Sequence, residues 1–222
     1  MNKTLAVAVG AAFGAAAACP LTASAATYDF SFNGGGVEGS ITLTYGAATD
    51  ARYSQAMEVT GISGTFSDAN IAIVNAPILG LVPVNHATPE DTNLLAPNDF
   101  SRFAVAEGTT PESGGFLTFD NLFWPGGSPA TATDYPAAGG LLDIYGLMFR
   151  IGNGRVVDLW SNGIFGPPGS APILYGVGVA TVDSMLDYVD SGVSAVPEPA
   201  SFGLMLGGLG LLAVTLRRRA NL

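Results

Sequence analysis

The chain has 222 residues, of which 48% are hydrophobic and 12% are charged, and its formal net charge is −10. This composition excludes an intrinsically disordered acidic chain, because hydrophobic residues are plentiful enough to form a core. Between residues 26 and 196, seventeen carboxylates are balanced by only four arginines and no lysine, a net charge of −13. General nucleic-acid binding is excluded for this part, since neutralising phosphates requires clustered cations.

The N-terminus has the three parts of a secretory signal peptide. Lys3 precedes fourteen small or apolar residues from Leu5 to Ala18, and Ala23-Ser24-Ala25 has the pattern of a cleavage site. We predict a signal-peptide helix in residues 1–25, with Ala23 and Ala25 at the cleavage site, and with signal peptidase and a Sec-type export machinery as partners. A retained membrane helix is the competing interpretation, but fourteen residues span only roughly 21 Å of a hydrocarbon layer about 30 Å thick.

The single cysteine, Cys19, lies before this cleavage site. It also permits a lipoprotein interpretation, in which Cys19 is acylated after cleavage, although Ala16 and the following Pro20 are unusual for such a signal. Cleavage after Ala25 leaves a mature protein without cysteine, and therefore without disulfides, thiolate nucleophiles or cysteine metal sites.

Residues 26–195 are predicted to form one secreted all-β domain. Tyr28–Asn33 and Val37–Tyr45 alternate between apolar and polar residues around three glycines, the pattern of a β-hairpin. At Gly61 the alternation changes phase, which indicates a β-bulge.

Later segments continue this pattern. Leu141–Ile151 is apolar on both faces, as expected of a central strand, and Gly152-Asn153-Gly154 predicts a hairpin to the next strand. About ten such strands fit an antiparallel β-sandwich or a jelly roll.

Catalytic chemistry has few candidates in this domain. His86 is the only histidine and lies in a proline-rich loop, and no G-x-S-x-G nucleophile motif is present. A carboxylate pair for glycoside hydrolysis remains open, because seventeen acids leave many pairings possible. We predict that the protein is not an enzyme and has no catalytic residues.

Ligand binding is the other open question. No EF-hand loop is present, but Asp120 with Asn121, or Asp68 with Asn70, each offer two oxygen ligands for weak calcium binding and equally suit turns. We therefore predict no cofactor beyond a possible weak calcium ion at unknown positions. Trp124, beside Pro125 in a loop, is the best candidate for an exposed aromatic that stacks on sugars. Other aromatic candidates are Trp160, Tyr135 and Tyr145.

The C-terminal residues 196–222 form a three-part tail. Val196-Pro197-Glu198-Pro199-Ala200-Ser201 precedes an uncharged segment, Phe202 to Leu216, and the cluster Arg217-Arg218-Arg219. The uncharged segment predicts a single transmembrane helix, and the arginines hold their end in the cytoplasm by the positive-inside rule. The two prolines predict an extended backbone from Val196 to Pro199.

This tail resembles the PEP-CTERM sorting signal of Gram-negative bacteria, with the signature at Pro197, Glu198 and Pro199. The resemblance implies that exosortase is a partner, that residues 196–201 are the processing motif, and that Glu198 is recognised by that enzyme. It implies transient anchoring in the inner membrane and a final place on the cell surface or in the extracellular matrix, where polysaccharide is a possible partner. A permanent single-pass anchor is the competing interpretation. We expect a structural or glycan-binding protein, and the alternative is a secreted carbohydrate-active hydrolase.

Overall fold

The computed structural model describes residues 25–49, 53–84, 101–105, 115–129, 138–163 and 173–197. The predicted signal-peptide helix, apart from Ala25, and the predicted transmembrane helix lie outside these ranges. Within them, no helix is long and apolar enough to cross a membrane.

Twelve strands and one short 3-10 turn, Ala69–Ile71, lie in the described ranges. The strands are β1 (Ala26–Gly34), β2 (Val37–Thr49), β3 (Met57–Asp68), β4 (Ile73–Pro77), β5 (Gly80–Leu81), β6 (Ser101–Ala104), β7 (Phe116–Phe119), β8 (Leu122–Phe123), β9 (Leu147–Arg150), β10 (Val156–Gly163), β11 (Leu174–Ala180) and β12 (Met185–Pro197).

The strands are paired antiparallel, which confirms the all-β, antiparallel prediction. Ten of them form one sheet in the order β4-β3-β2-β1-β12-β11-β10-β9-β5, with β8 paired to β3, and β6 and β7 form a second, two-stranded sheet. The described residues form one large curled sheet with a small two-stranded sheet beside it, and the finer expectation of a sandwich or jelly roll stays a prediction.

The large sheet curls because one short segment joins both ends of its strand order. Strand β4 pairs with β3 and the next strand, β5, pairs with β9. Between them, the amide of Ile78 donates to the carbonyl of Gly64 in β3 at 3.0 Å, and the amide of Leu79 donates to Arg150 in β9 at 2.8 Å. Residues 73–81 therefore connect the two edges.

The main core lies on the inner face of the curled sheet. Alternate residues of each strand point there, so that Phe30 and Phe32 of β1 are buried while Asp29 and Asn33 are exposed. The largest fully buried strand side chains of this core come from six strands: Phe32, Ile41, Leu43, Phe66, Phe123, Leu147, Phe149 and Tyr175.

The two-stranded sheet covers the outer face of β9, β10 and β11. Leu117 and Phe119 of β7 form a second apolar cluster with Met148, Val156 and Ala180. Strand β10 is consequently buried along its whole length. This double burial explains why the sequence from residue 141 onward is apolar on both faces.

Two predicted turns are confirmed. Gly35 and Gly36 connect β1 to β2 with φ of +60° and +89°, and Asn153 and Gly154 connect β9 to β10 with φ of +64° and +70°. These left-handed conformations suit glycine and asparagine, which explains the hairpin signals. The predicted bulge is also present, since the β2–β3 register shifts after Gly61.

Candidate functional site

The predicted sorting motif begins on the last strand of the domain. Val196 and Pro197 end β12, where they lie opposite Ser31 and Phe30 of β1. The extended backbone predicted from Val196 to Pro199 is confirmed for these first two residues. The remaining predicted site residues lie outside the described ranges, and their roles stay predictions: Ala23, Glu198, Pro199, Ala200, Ser201, Arg217, Arg218 and Arg219.

The two predicted processing points leave the domain at the same end of the sheet. Ala25 is exposed and directly precedes β1, and β1 is the antiparallel neighbour of β12. Because Phe30 is opposite Pro197, Ala26 lies four residues, roughly 13 Å of extended chain, beyond the last paired position. Residues 1–25 and the tail after Pro197 therefore leave the folded domain from one side.

Two carboxyl groups meet beside the β1–β2 turn, at one end of the strands of the large sheet, and we call Asp68 and Asp187 the outer pair. Asp68 ends β3 and caps the 3-10 turn, where its Oδ1 accepts a hydrogen bond from the Asn70 amide at 2.9 Å. Asp187 lies on β12 and is half-buried. The Asn70 side chain joins both regions, because its Nδ2 donates to Asp187 Oδ2 at 2.8 Å and to the Gly35 carbonyl at 2.9 Å.

The outer pair is electrostatically unfavourable when both members are ionised. Asp68 is completely buried and no donor reaches its Oδ2. Burial, together with the charge of Asp187, raises the pKa of Asp68 to about 6. A proton or a cation between the two carboxyl groups would relieve this repulsion.

Three further aspartates form an inner cluster: Asp120, Asp143 and Asp158. They are 7%, 3% and 3% exposed. Asp143 Oδ1 accepts the backbone amides of Tyr145 at 2.9 Å and Gly146 at 3.2 Å. Asp158 differs from Asp143, because its Oδ1 is buried and has no hydrogen-bond donor.

Burial is the largest cause of the pKa shifts of Asp143 and Asp158. It raises the pKa of Asp143, and the two backbone amides only partly offset this effect. The pKa of Asp158 is raised well above its usual range by burial and then by the charge of Asp143. Burial thus shifts both carboxyl groups toward the neutral form, and their low exposure closes them to a substrate.

Asn121 is a polar residue whose importance the sequence did not reveal. Its Oδ1 accepts from the Met148 amide at 3.0 Å, and its Nδ2 donates to the Val82 carbonyl at 2.8 Å. Its backbone carbonyl accepts from Val59 of β3 and its amide donates to Gly146. Asn121 therefore ties β3, β9 and the segment after β5 together.

The prediction that Trp124 is an exposed aromatic residue is wrong. Trp124 is only 2% exposed and packs against Tyr53, with ring centroids 5.5 Å apart. Strand β8 pairs with the start of β3, which turns the following tryptophan inward. Trp160 and Tyr145 are also buried, and Tyr135 lies outside the described ranges.

A polar groove of about 330 Å³ lies over β1, β2 and β3. Its lining includes one carboxylate, Glu38, among hydroxyl and amide side chains. The other polar lining residues are Ser31, Asn33, Ser40, Thr65, Ser67 and Asn75.

Metal-binding and catalytic clusters were sought among the described residues. No group of three or more histidine, aspartate or glutamate side chains in these ranges is placed to hold a metal ion. His86, Glu90 and Asp91 lie outside them. Of the two calcium candidates, Asp68 with Asn70 is joined by a further carboxylate, whereas Asp120 and Asn121 are committed to structural hydrogen bonds.

Comparison with known proteins identifies the tail. Residues 195–219 match the family model of the PEP-CTERM protein-sorting motif. No curated protein and no solved structure matches the chain. The motif indicates export, a surface or extracellular location and processing by exosortase. The signature at Pro197, Glu198 and Pro199 lies within the match, and the chain therefore carries a PEP-CTERM protein-sorting motif.

Proposed function

We propose that the mature protein is a non-catalytic component of the cell envelope or extracellular matrix, released to its place by exosortase. The observation that carries this proposal is the direct connection between the sorting motif and the folded domain. The family match begins at residue 195, and β12 extends to Pro197. The all-β domain is therefore the cargo that the tail delivers.

The sheet also restricts where the tail is cut. The backbone up to Val196 and Pro197 is paired with β1. A processing enzyme needs an extended segment that is free of such pairing. We therefore place the cut after Pro197, between the sheet and the membrane-anchored segment.

The carboxyl groups support a role without catalysis. Glycoside hydrolysis needs two acids about 5 to 10 Å apart across an open cleft. Asp143 and Asp158 are close enough to interact, but each is only 3% exposed. The polar groove includes a single carboxylate, Glu38. The alternative of a carbohydrate-active hydrolase thus has no supporting site in the described ranges.

A neutral glycan suits the domain better than an acidic one. Hydroxyl and amide groups line the groove, and residues 26–196 carry a net charge of −13. A polyanionic polysaccharide is repelled at low salt unless divalent cations connect the two. Binding to a glycan array with and without calcium tests this, and calcium-independent binding to an acidic polymer would contradict it.

Processing is tested by replacing Pro197, Glu198 and Pro199 with alanine in the full chain carrying a C-terminal tag. We expect the tagged, uncut protein to accumulate in the inner-membrane fraction. The matched control is Glu38→Ala, which removes an exposed carboxylate from β2 and leaves the tail intact. Release of the triple variant at the wild-type level would overturn the proposed processing.

A further inference from the structure

We propose that the outer pair, together with Asn70 and the Gly35 carbonyl, forms a calcium-binding site. The proposal goes beyond delivery by the sorting tail and does not rest on it. It joins the end of β3, the β1–β2 turn and the start of β12, which are far apart in sequence.

Asp68 has a buried side-chain oxygen that is unsatisfied. The side chain is completely buried, its Oδ1 is used by the Asn70 amide, and its Oδ2 has no hydrogen-bond partner. The neighbouring group is the Asp187 carboxyl, which only accepts hydrogen bonds when ionised. A buried carboxylate facing another carboxylate is stabilised by a proton or a cation between them, and the cation is the partner that leaves both groups ionised.

The second argument is the position of the Asn70 amide. Its Nδ2 lies between two acceptors, the Gly35 carbonyl and Asp187 Oδ2, at 2.9 and 2.8 Å. A donor group between converging oxygens occupies the kind of place that a cation takes. Turning the amide over presents Oδ1 there instead, so that Asn70 becomes a ligand.

The third argument is the space around the asparagine. Gly36 has φ of +89°, and a Cβ at this position would lie 2.5 Å from Asn70 Oδ1. Asn70 itself is exposed, so solvent reaches the site. Glycine at residue 36 therefore lets the Asn70 amide sit against the β1–β2 turn, where a larger side chain would displace it.

The ligand set selects the type of ion. Two carboxylates, an amide and a backbone carbonyl are hard oxygen ligands, and calcium accepts them with flexible geometry and waters in the remaining positions. Only two of the four ligands are charged, so we expect the weak affinity of extracellular modules, a Kd of about 10⁻⁴ to 10⁻³ M.

The test is thermal unfolding of the full-length chain, purified in mild detergent, with CaCl₂ as the probe. At ten times the Kd, calcium should shift the folding equilibrium about tenfold. NaCl at equal ionic strength and MgCl₂ should produce smaller shifts. Asp187→Asn should abolish the calcium effect and, without calcium, raise the Tm by removing the repulsion.

Two more variants distinguish calcium binding at this site from a general effect of net charge. Asp183→Asn removes an exposed carboxylate from the neighbouring turn, has the same net charge as Asp187→Asn, and should keep the full calcium response. Asn70→Asp adds a third carboxylate and should tighten calcium binding several-fold in calorimetry. A wild-type Tm that responds to calcium only as it does to NaCl, an unchanged response in Asp187→Asn, or no tighter binding by Asn70→Asp would each overturn the site.

Discussion

The outer pair and the inner cluster place the same chemical group in two different surroundings. Both contain buried aspartates with raised pKa values, and burial is the largest cause in each. The outer pair borders an exposed asparagine beside the β1–β2 turn, whereas the inner cluster is closed to solvent. Solvent access therefore decides how the repulsion between the carboxyl groups is relieved. A cation can exchange at the outer pair, but protonation is the available route inside.

The largest expected effect is a difference in stability between two variants, Asn121→Ala next to Asp120 of the inner cluster and Asn70→Ala beside the outer pair. Asn121→Ala leaves the Met148 amide and the Val82 carbonyl unpaired and puts alanine at φ of +56°. We expect the free energy of unfolding to fall by about 3 kcal/mol. Asn70→Ala, at the exposed position, should cost less than about 1 kcal/mol. Urea unfolding measures both, and equal losses would remove the proposed difference.

The next effect concerns the unpartnered carboxyl group of the inner cluster. Asp158→Asn removes a carboxyl group whose ionised form is disfavoured by burial and by Asp143, and whose Oδ1 has no donor. At neutral pH this change should increase the free energy of unfolding by about 1 to 3 kcal/mol. Asp183→Asn, on the surface, should stay within about 0.5 kcal/mol of wild type. A less stable Asp158→Asn protein would contradict the inference that this carboxyl group lowers the free energy of unfolding.

The smallest expected effect is the pH dependence of the outer pair. The pKa of Asp68 is about 6 in the folded state against an ordinary value of 3.8, so the folded state binds more protons between these values. The free energy of unfolding should therefore rise as the pH falls through this window, by about 1 to 2 kcal/mol, and stay level below it. The Tm measured without calcium at neutral and mildly acidic pH tests the sign. The slope should shrink in Asp68→Asn, and a Tm of wild type that falls over this range would contradict it.

Local sequence signals predicted the hairpins well, because their causes are local. Gly35, Gly36, Asn153 and Gly154 adopt the left-handed turns that their residue types favour. The segment from Leu141 was predicted as one long strand, but β9 starts only at Leu147. Asp143 is the reason, since its side chain accepts the amides of Tyr145 and Gly146, which a sheet would otherwise use.

The candidate sites depend on contacts that the sequence does not display. Asn70 and Asp187 are 117 positions apart, and only the pairing of β1 with β12 brings them together. Trp124 looked exposed because of its glycine-rich neighbours, and its burial depends on the pairing of β8 with β3. Conversely, the sorting motif is a linear signal, which explains why its residues alone were sufficient to recognise it.

The central claim is that an acidic all-β domain is exported and loses both of its terminal segments. The most direct measurement is the intact mass of the protein recovered outside the cells. We predict a chain that begins at Ala26, retains Val196 and Pro197 because the sheet protects them, and lacks the three arginines at 217–219. A mass that still includes these arginines would contradict the account.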